Sequence, residues 1–185
     1  MDIQKQLTKS IAKLQKKSGD EKAATFLISH YYREIYCYVY KQTINKELAM
    51  DLTQEIFLLM LQSIESYDVS LSGFRTWLYR IATNKVTDYY RSSAFRSTQV
   101  LDLVEEDIEG EADFTLAIER KMELEQIIAY VNKLDVTRQK IFRLKIFGEY
   151  SFVEISQMME MSESTVKTKY YATQKMIRTQ FQGGV

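Results

Sequence analysis

Gly73-Phe74-Arg75-Thr76-Trp77-Leu78-Tyr79-Arg80-Ile81-Ala82-Thr83-Asn84-Lys85-Val86-Thr87-Asp88-Tyr89-Tyr90-Arg91 is the stretch that decides the fold class. Phe74, Trp77, Leu78, Ile81 and Ala82 recur at i, i+3, i+4, i+7 and i+8, the spacing of one buried stripe on an α-helix, and predict a helix over 74–95. The opposite face carries Arg80, Asn84, Lys85, Thr87 and Arg91. Trp77 shares the apolar stripe with Phe74 and Ile81 and is read as core.

Outward from this helix the same period continues in both directions. Helices are predicted over 2–18, 21–43 and 46–65, the third with Asn45 as N-cap and with Leu48, Leu52, Ile56, Leu59 and Ile64 near helical spacing. Tyr67-Asp68-Val69-Ser70-Leu71-Ser72-Gly73 reads as a loop. Further helices are expected near 114–133, 136–147, 151–159 and 162–180. With no proline and only six glycines the strongest helix breakers are nearly absent, which predicts an all-α protein.

The formal net charge of zero hides a segregation. Residues 1–96 hold 14 basic and 10 acidic residues; 97–114 hold seven acidic residues and no basic one; 115–185 hold 11 basic and 8 acidic. Two small, mildly basic helical domains, 1–96 and 114–185, are therefore expected on either side of an acidic linker, 97–113, which lacks a sustained period, contains Gly110 and is read as extended or weakly ordered.

The composition also removes several function classes. The longest purely apolar run, Ile56–Leu61, is far short of the roughly 18 to 20 residues of a membrane span, and the opening residues lack a signal-peptide core, so no membrane insertion and a cytoplasmic location are expected. A single cysteine, Cys37, and a single histidine, His30, give no disulfide and no conventional metal site. No phosphate-binding glycine loop or nucleophile motif is present, so neither catalytic residues, a cofactor nor a small-molecule substrate is expected, and the chain is read as a non-enzyme.

Near the C-terminus, Ser151-Phe152-Val153-Glu154 fits a capping box, in which the serine side chain accepts from the third helical N–H and the glutamate reaches back. Ile155 and Met159 give the short helix an apolar face, and only Glu160-Met161-Ser162 separates it from the next, for which Ser162 is the expected N-cap. Two helices joined so tightly suit a helix-turn-helix, whose second helix enters the DNA major groove. In that second helix Val166, Tyr170, Ile177 and Phe181 should pack inward, while Ser164, Lys167, Thr168, Tyr171, Lys175 and Arg178 line the outer face. Any amphipathic helix pair with a solvated basic face has this pattern, so the motif alone leaves DNA binding open.

Taken together, three segments resemble the sigma factors of bacterial RNA polymerase, specifically the extracytoplasmic-function (ECF) group. Asp51-Leu52-Thr53-Gln54-Glu55-Ile56-Phe57 is similar to that family's Asp-Leu-x-Gln-Glu-x-Phe; residues 74–91 are similar to its Phe-x-x-Trp-Leu-x-x-Ile-Ala-x-Asn-x-x-x-Asp-x-x-Arg; Glu154-Ile155 and Ser162 to Lys169 are similar to its Glu-Ile-Ala and Ser-x-x-Thr-Val-Lys-Ser-Arg. The resemblance implies a region 2 domain over 1–96 and a region 4 domain over 114–185. It implies that Asp51, Gln54 and Glu55 contact RNA polymerase core enzyme, and their three- and four-residue spacing does place them on one helix face. It implies that Ser70, Ser72, Arg75, Arg80, Asn84, Lys85 and Arg91 handle the minus-ten element of promoter DNA, the loop receiving an extruded base and the cations holding the strand. To the outer face of the last helix it adds Thr165 and Lys169, with the minus-thirty-five element as their target. An anti-sigma factor is the further implied partner.

In that family the connector runs into the polymerase's RNA path; a flexible solvated linker is the equal alternative for 97–113 here. Two departures stand out: Glu160 replaces the usual glycine of the helix-turn-helix turn, and Tyr171-Ala172-Thr173-Gln174 stands where additional arginine is common. The rival reading, a one-component regulator binding operator DNA through the same helix-turn-helix, predicts tight duplex binding without polymerase.

Overall fold

The computed structural model describes residues 2–16, 19–92 and 111–182, with backbone alone for 111–120 and 182. Among these residues there are eight α-helices, one 3-10 turn and no strand: α1 Ile3–Lys16, α2 Glu21–Thr43, α3 Lys46–Ser63, the 3-10 turn Ile64–Ser66, α4 Phe74–Arg91, α5 Glu111–Val131, α6 Val136–Ile146, α7 Phe152–Met159 and α8 Glu163–Gln182. They form two compact units, Met1–Val86 and Thr87–Val185. No helix among the described residues is long and apolar enough to cross a membrane.

Helix starts follow their side-chain caps. Asp20 accepts from Ala23 N–H at 2.9 Å, Asn45 from Leu48 N–H at 2.9 Å and Asp135 from Arg138 N–H at 3.1 Å. Each satisfies a donor that the first helical turn leaves orphaned. The expected acidic linker is shortened at its C-terminal end, because helix α5 already begins at Glu111. Residues 97–110 lie outside the described residues, as do 93–95 of the helix expected to reach 95.

In the first unit Leu14 of α1, Leu27, Ile35 and Val39 of α2, Ile56 and Met60 of α3, and Leu78 and Ala82 of α4 are buried without residue. An aromatic cluster closes one end: Tyr67 lies 5.4 Å from Phe74 and 5.2 Å from Trp77, and Phe74 lies 5.5 Å from both Trp77 and Tyr31. The core position of Trp77 therefore holds.

Helix α4 is rotated relative to the expected stripe. From residue 78 on its buried positions are Leu78, Tyr79, Ala82, Thr83, Val86, Thr87 and Tyr90, while Ile81 is half-buried. Thr87 is thus not an outer-face residue. Threonine can turn its hydroxyl onto the preceding turn, as Thr83 does in donating to Tyr79 C=O at 2.7 Å, and so carries its polar group into a core satisfied. That donation commits the only proton of the Thr83 hydroxyl, so in the 2.8 Å contact with Tyr38 the tyrosine is the donor.

The second unit is built on Ile128 and Val131 of α5, Ile141, Phe142 and Leu144 of α6, Ile155 and Met158 of α7, and Val166 and Tyr170 of α8. Ser151 and Glu154 make both halves of the capping box. Between α7 and α8, Glu160 takes up a left-handed conformation (φ 53°, ψ 44°), and Met161 N–H returns to Ser156 C=O at 3.0 Å. Phe181, expected inside, is 40% exposed, with its ring 6.0 Å from that of Tyr130 in a T-shaped arrangement.

An L-residue in that left-handed region costs about 1–2 kcal/mol, and glycine's greater freedom in the unfolded chain offsets about half of the relief. Glu160 is exposed. Glu160→Gly is therefore expected to stabilise the chain by about 0.5–1 kcal/mol in urea unfolding followed through the second unit, with helix content unchanged. A destabilised variant would show that the turn is held by the glutamate side chain.

Candidate nucleic-acid interface

The Asn45 cap fixes the phase of α3, which buries Leu52, Thr53, Ile56, Phe57 and Met60 and leaves Asp51, Gln54 and Glu55 exposed together on the opposite face. Sequence reasoning missed the apolar rim of this face. Met50 is 46% and Leu58 57% exposed, and Leu59, counted above with the apolar spacing, is 39% exposed. The signal was available: Leu58 and Leu59 fall outside the 52-53-56-57-60 stripe.

Beside it, Tyr67–Gly73 forms a closed turn. Asp68 accepts from Ser70 N–H at 2.8 Å through its side chain, and from Leu71 and Ser72 N–H at 3.2 and 3.4 Å through its carbonyl. The Tyr67 hydroxyl donates to Ser72 C=O at 3.1 Å. From α1, the Gln15 amide donates to Tyr67 C=O at 2.7 Å and to Ile64 C=O at 3.4 Å. Hydrogen bonds from Ser70, its side chain first, hold the Asp68 carboxyl below the ordinary carboxylate range, so it remains an acceptor. Ser70 is exposed and Ser72 half-buried.

The seven residues expected to meet minus-ten DNA fall into four groups. Arg80, Asn84 and Arg91, four and seven residues apart, share the outer face of α4 with Asp88; both arginines are exposed. Lys85 turns toward α3 and forms an ion pair with Glu55, joining the two expected contact sets directly. Arg75, in the first turn, is held by Glu34 of α2 at 2.5 Å, with Tyr79 donating to the same carboxylate at 3.0 Å and the guanidinium 4.7 Å from the Tyr79 ring centre. Ser70 and Ser72 sit on the loop.

In the second unit, Ser162 Oγ accepts from Thr165 N–H at 3.2 Å and starts α8 as expected. Ser164, Lys167, Thr168, Tyr171, Lys175 and Arg178 are all exposed, and their spacing of 3, 4, 7, 11 and 14 residues from Ser164 makes a single stripe. Thr165 and Lys169 lie at its half-buried margin, the Thr165 hydroxyl 2.7 Å from that of Ser162. Lys167 pairs with Glu163 at 2.6 Å, whose hydrogen bond and charge raise its pKa. Lys145, which sequence reasoning did not single out, donates to Tyr150 C=O at 3.1 Å and lies 4.8 Å above the Phe152 ring, at the mouth of the helix-turn-helix. Helix α8 thus presents polar and cationic side chains outward from a capped start, the arrangement that positions a helix on phosphates and base edges.

Known proteins share this layout. Residues 27–96 match the family model of Sigma-70 region 2, and residues 124–173 that of Sigma-70, region 4. The ECF RNA polymerase sigma factor SigW of Bacillus subtilis is 30% identical over 177 residues, covering 90% of this chain and 92% of SigW. The ECF RNA polymerase sigma-E factor of Escherichia coli K12 is 24% identical over 97% of both chains. Among solved structures, CnrH in complex with the cytosolic domain of CnrY shares the fold at a TM-score of 0.62 and 17% identity, over 97% of both chains. With two sigma models matched in order and a relative of this identity aligned along nearly its whole length, the chain belongs to the ECF RNA polymerase sigma factors, which bind core polymerase and direct it to promoters.

Proposed function

We propose a division of labour within this initiation factor. Residues 1–96 hold core polymerase through Asp51, Gln54 and Glu55, and handle the minus-ten element through the Tyr67–Gly73 loop with Ser70 and Ser72, and through Arg75, Arg80, Asn84, Lys85 and Arg91. Residues 114–185 read the minus-thirty-five element through Ser164, Thr165, Lys167, Thr168, Lys169, Tyr171, Lys175 and Arg178. The observation that carries this reading is the exposed stripe of α8, six polar or cationic residues in register on a capped recognition helix. The chain performs no chemistry of its own and acts in the cytoplasm, where core enzyme is found. CnrH is solved with a bound protein, the cytosolic domain of CnrY. By that likeness an anti-sigma factor is the proposed regulatory partner here.

An operator-binding regulator would need no polymerase, so the two readings separate in a core-binding assay. Asp51→Ala with Gln54→Ala is expected to weaken core binding about tenfold or more, as removal of central interface contacts does, while Lys167→Ala with Arg178→Ala leaves it within about twofold and impairs promoter selection. Equal loss of core binding in both double variants would contradict the division.

Lys85 is proposed to exchange Glu55 for a phosphate. Lys85→Met should then lower promoter affinity of the holoenzyme and reduce the slope of log affinity against log salt by about 1, while core affinity is not lowered, because Glu55 is freed for polymerase. An unchanged salt slope would remove Lys85 from the phosphate contacts.

A further inference from the structure

Every charged residue of α1 is a lysine: Lys5, Lys9, Lys13 and Lys16 fall four, four and three residues apart, and all are exposed. At about 100° per residue they share roughly 80° of the helix surface. The other side of the helix belongs to the core, where Leu7, Ser10 and Leu14 are buried as α1 packs on α2 and the 3-10 turn. Such a stripe does nothing for the helix itself. Like charges one turn apart repel, and no acidic residue from Ile3 to Lys16 offsets them. A face that serves only solvation mixes both signs. From outside the helix, Asp20 lies 3.7 Å from Lys13 in a partly exposed pair, which is of the weak class.

Resting on the reading that residues 1–96 meet promoter DNA, we propose that the lysine stripe of α1 is a further DNA surface, one that holds phosphates flanking the minus-ten element without reading their sequence. From Lys5 to Lys16 the helix rises about 16 Å, a length over which one strand of a duplex presents about five phosphates. The stripe also starts in the right place. Gln15, the neighbour of Lys16, donates to Tyr67 C=O at 2.7 Å, which ties the last turn of α1 to the loop proposed to handle that element. A membrane surface is the poorer fit, because an interfacial helix inserts an apolar face and Ile3 is the one large apolar side chain exposed on α1. An acidic protein is poorer too, because protein interfaces are built on aromatic and apolar anchors and are depleted in lysine.

The test uses the full chain with core polymerase on a promoter mapped by run-off transcription. Lys5→Gln, Lys9→Gln and Lys16→Gln are combined, which removes three charges and keeps a comparable helix propensity. Lys13 stays, because it faces Asp20. For the variant holoenzyme, the slope of log promoter affinity against log salt should be smaller by about 3, so that between about 50 and 200 mM salt the parent loses about fiftyfold more affinity than the variant does. The loss at low salt should be equal on a promoter with an altered minus-ten sequence, and core affinity should stay within about twofold. Arginine at the same three positions should restore the slope. Thermal unfolding of the glutamine variant should show no loss of stability, since a repulsion has been relieved.

An unchanged salt slope, or a slope that arginine does not restore, overturns the proposal. An unchanged slope with lowered core affinity overturns it in favour of a polymerase contact. An unchanged slope with loss of the parent's binding to phosphatidylglycerol vesicles overturns it in favour of an anionic membrane. If the parent holoenzyme forms a promoter-specific complex and the variant matches it at every salt concentration, the stripe fails and the promoter reading of residues 1–96 stands; if the parent forms no such complex with core enzyme, both fail.

Discussion

Burial of Tyr67 against Phe74 and Trp77 is the constraint on which the arrangement of the first unit depends. It fixes where the chain leaves the 3-10 turn and where α4 begins, and so it sets which way the loop faces. Past the cluster, the helix turns Leu78, Tyr79, Ala82, Thr83, Val86 and Thr87 inward and Arg80, Asn84 and Arg91 outward. Burial also raises the Tyr67 hydroxyl above its ordinary pKa, keeping it protonated as a donor to Ser72 C=O. A single aromatic side chain thereby ties together the core, the loop and the cationic face.

The neutral net charge is compatible with DNA binding once the ion pairs are considered. Arg75 lies with Glu34, Lys85 with Glu55 and Lys167 with Glu163. All three pairs are partly exposed, the class of ion pair that contributes between nothing and about 1 kcal/mol. A phosphate can replace such a carboxylate at little cost, and the displaced carboxylate returns to water. Glu55 is a special case, because its own proposed partner is polymerase; engagement of Glu55 and release of Lys85 are then linked, and any such coupling acts equally in both directions.

Local features were legible in the sequence, and features set by distant contacts were not. Asn45, Ser162 and the Ser151–Glu154 capping box act within one helical turn, and the structure has them where the sequence puts them. The outer stripe of α8 was legible too, because Val166 and Tyr170 fix its phase. The rotation of α4 was not: threonine at 83 and 87 reads as polar, and only packing shows that both are buried. Nor did sequence spacing indicate that Arg75 is held from α2, that Lys85 reaches α3, or that Gln15 clamps a loop some fifty residues away.

The central claim is that this chain gives core polymerase its choice of start site. Run-off transcription with purified core enzyme on fragments of the host genome, with and without the chain, tests it most directly. Discrete transcripts with mapped 5′ ends that appear only when the chain is added are the predicted result. A chain that binds those fragments tightly by itself, yet leaves the transcripts of core enzyme unchanged, would contradict the account.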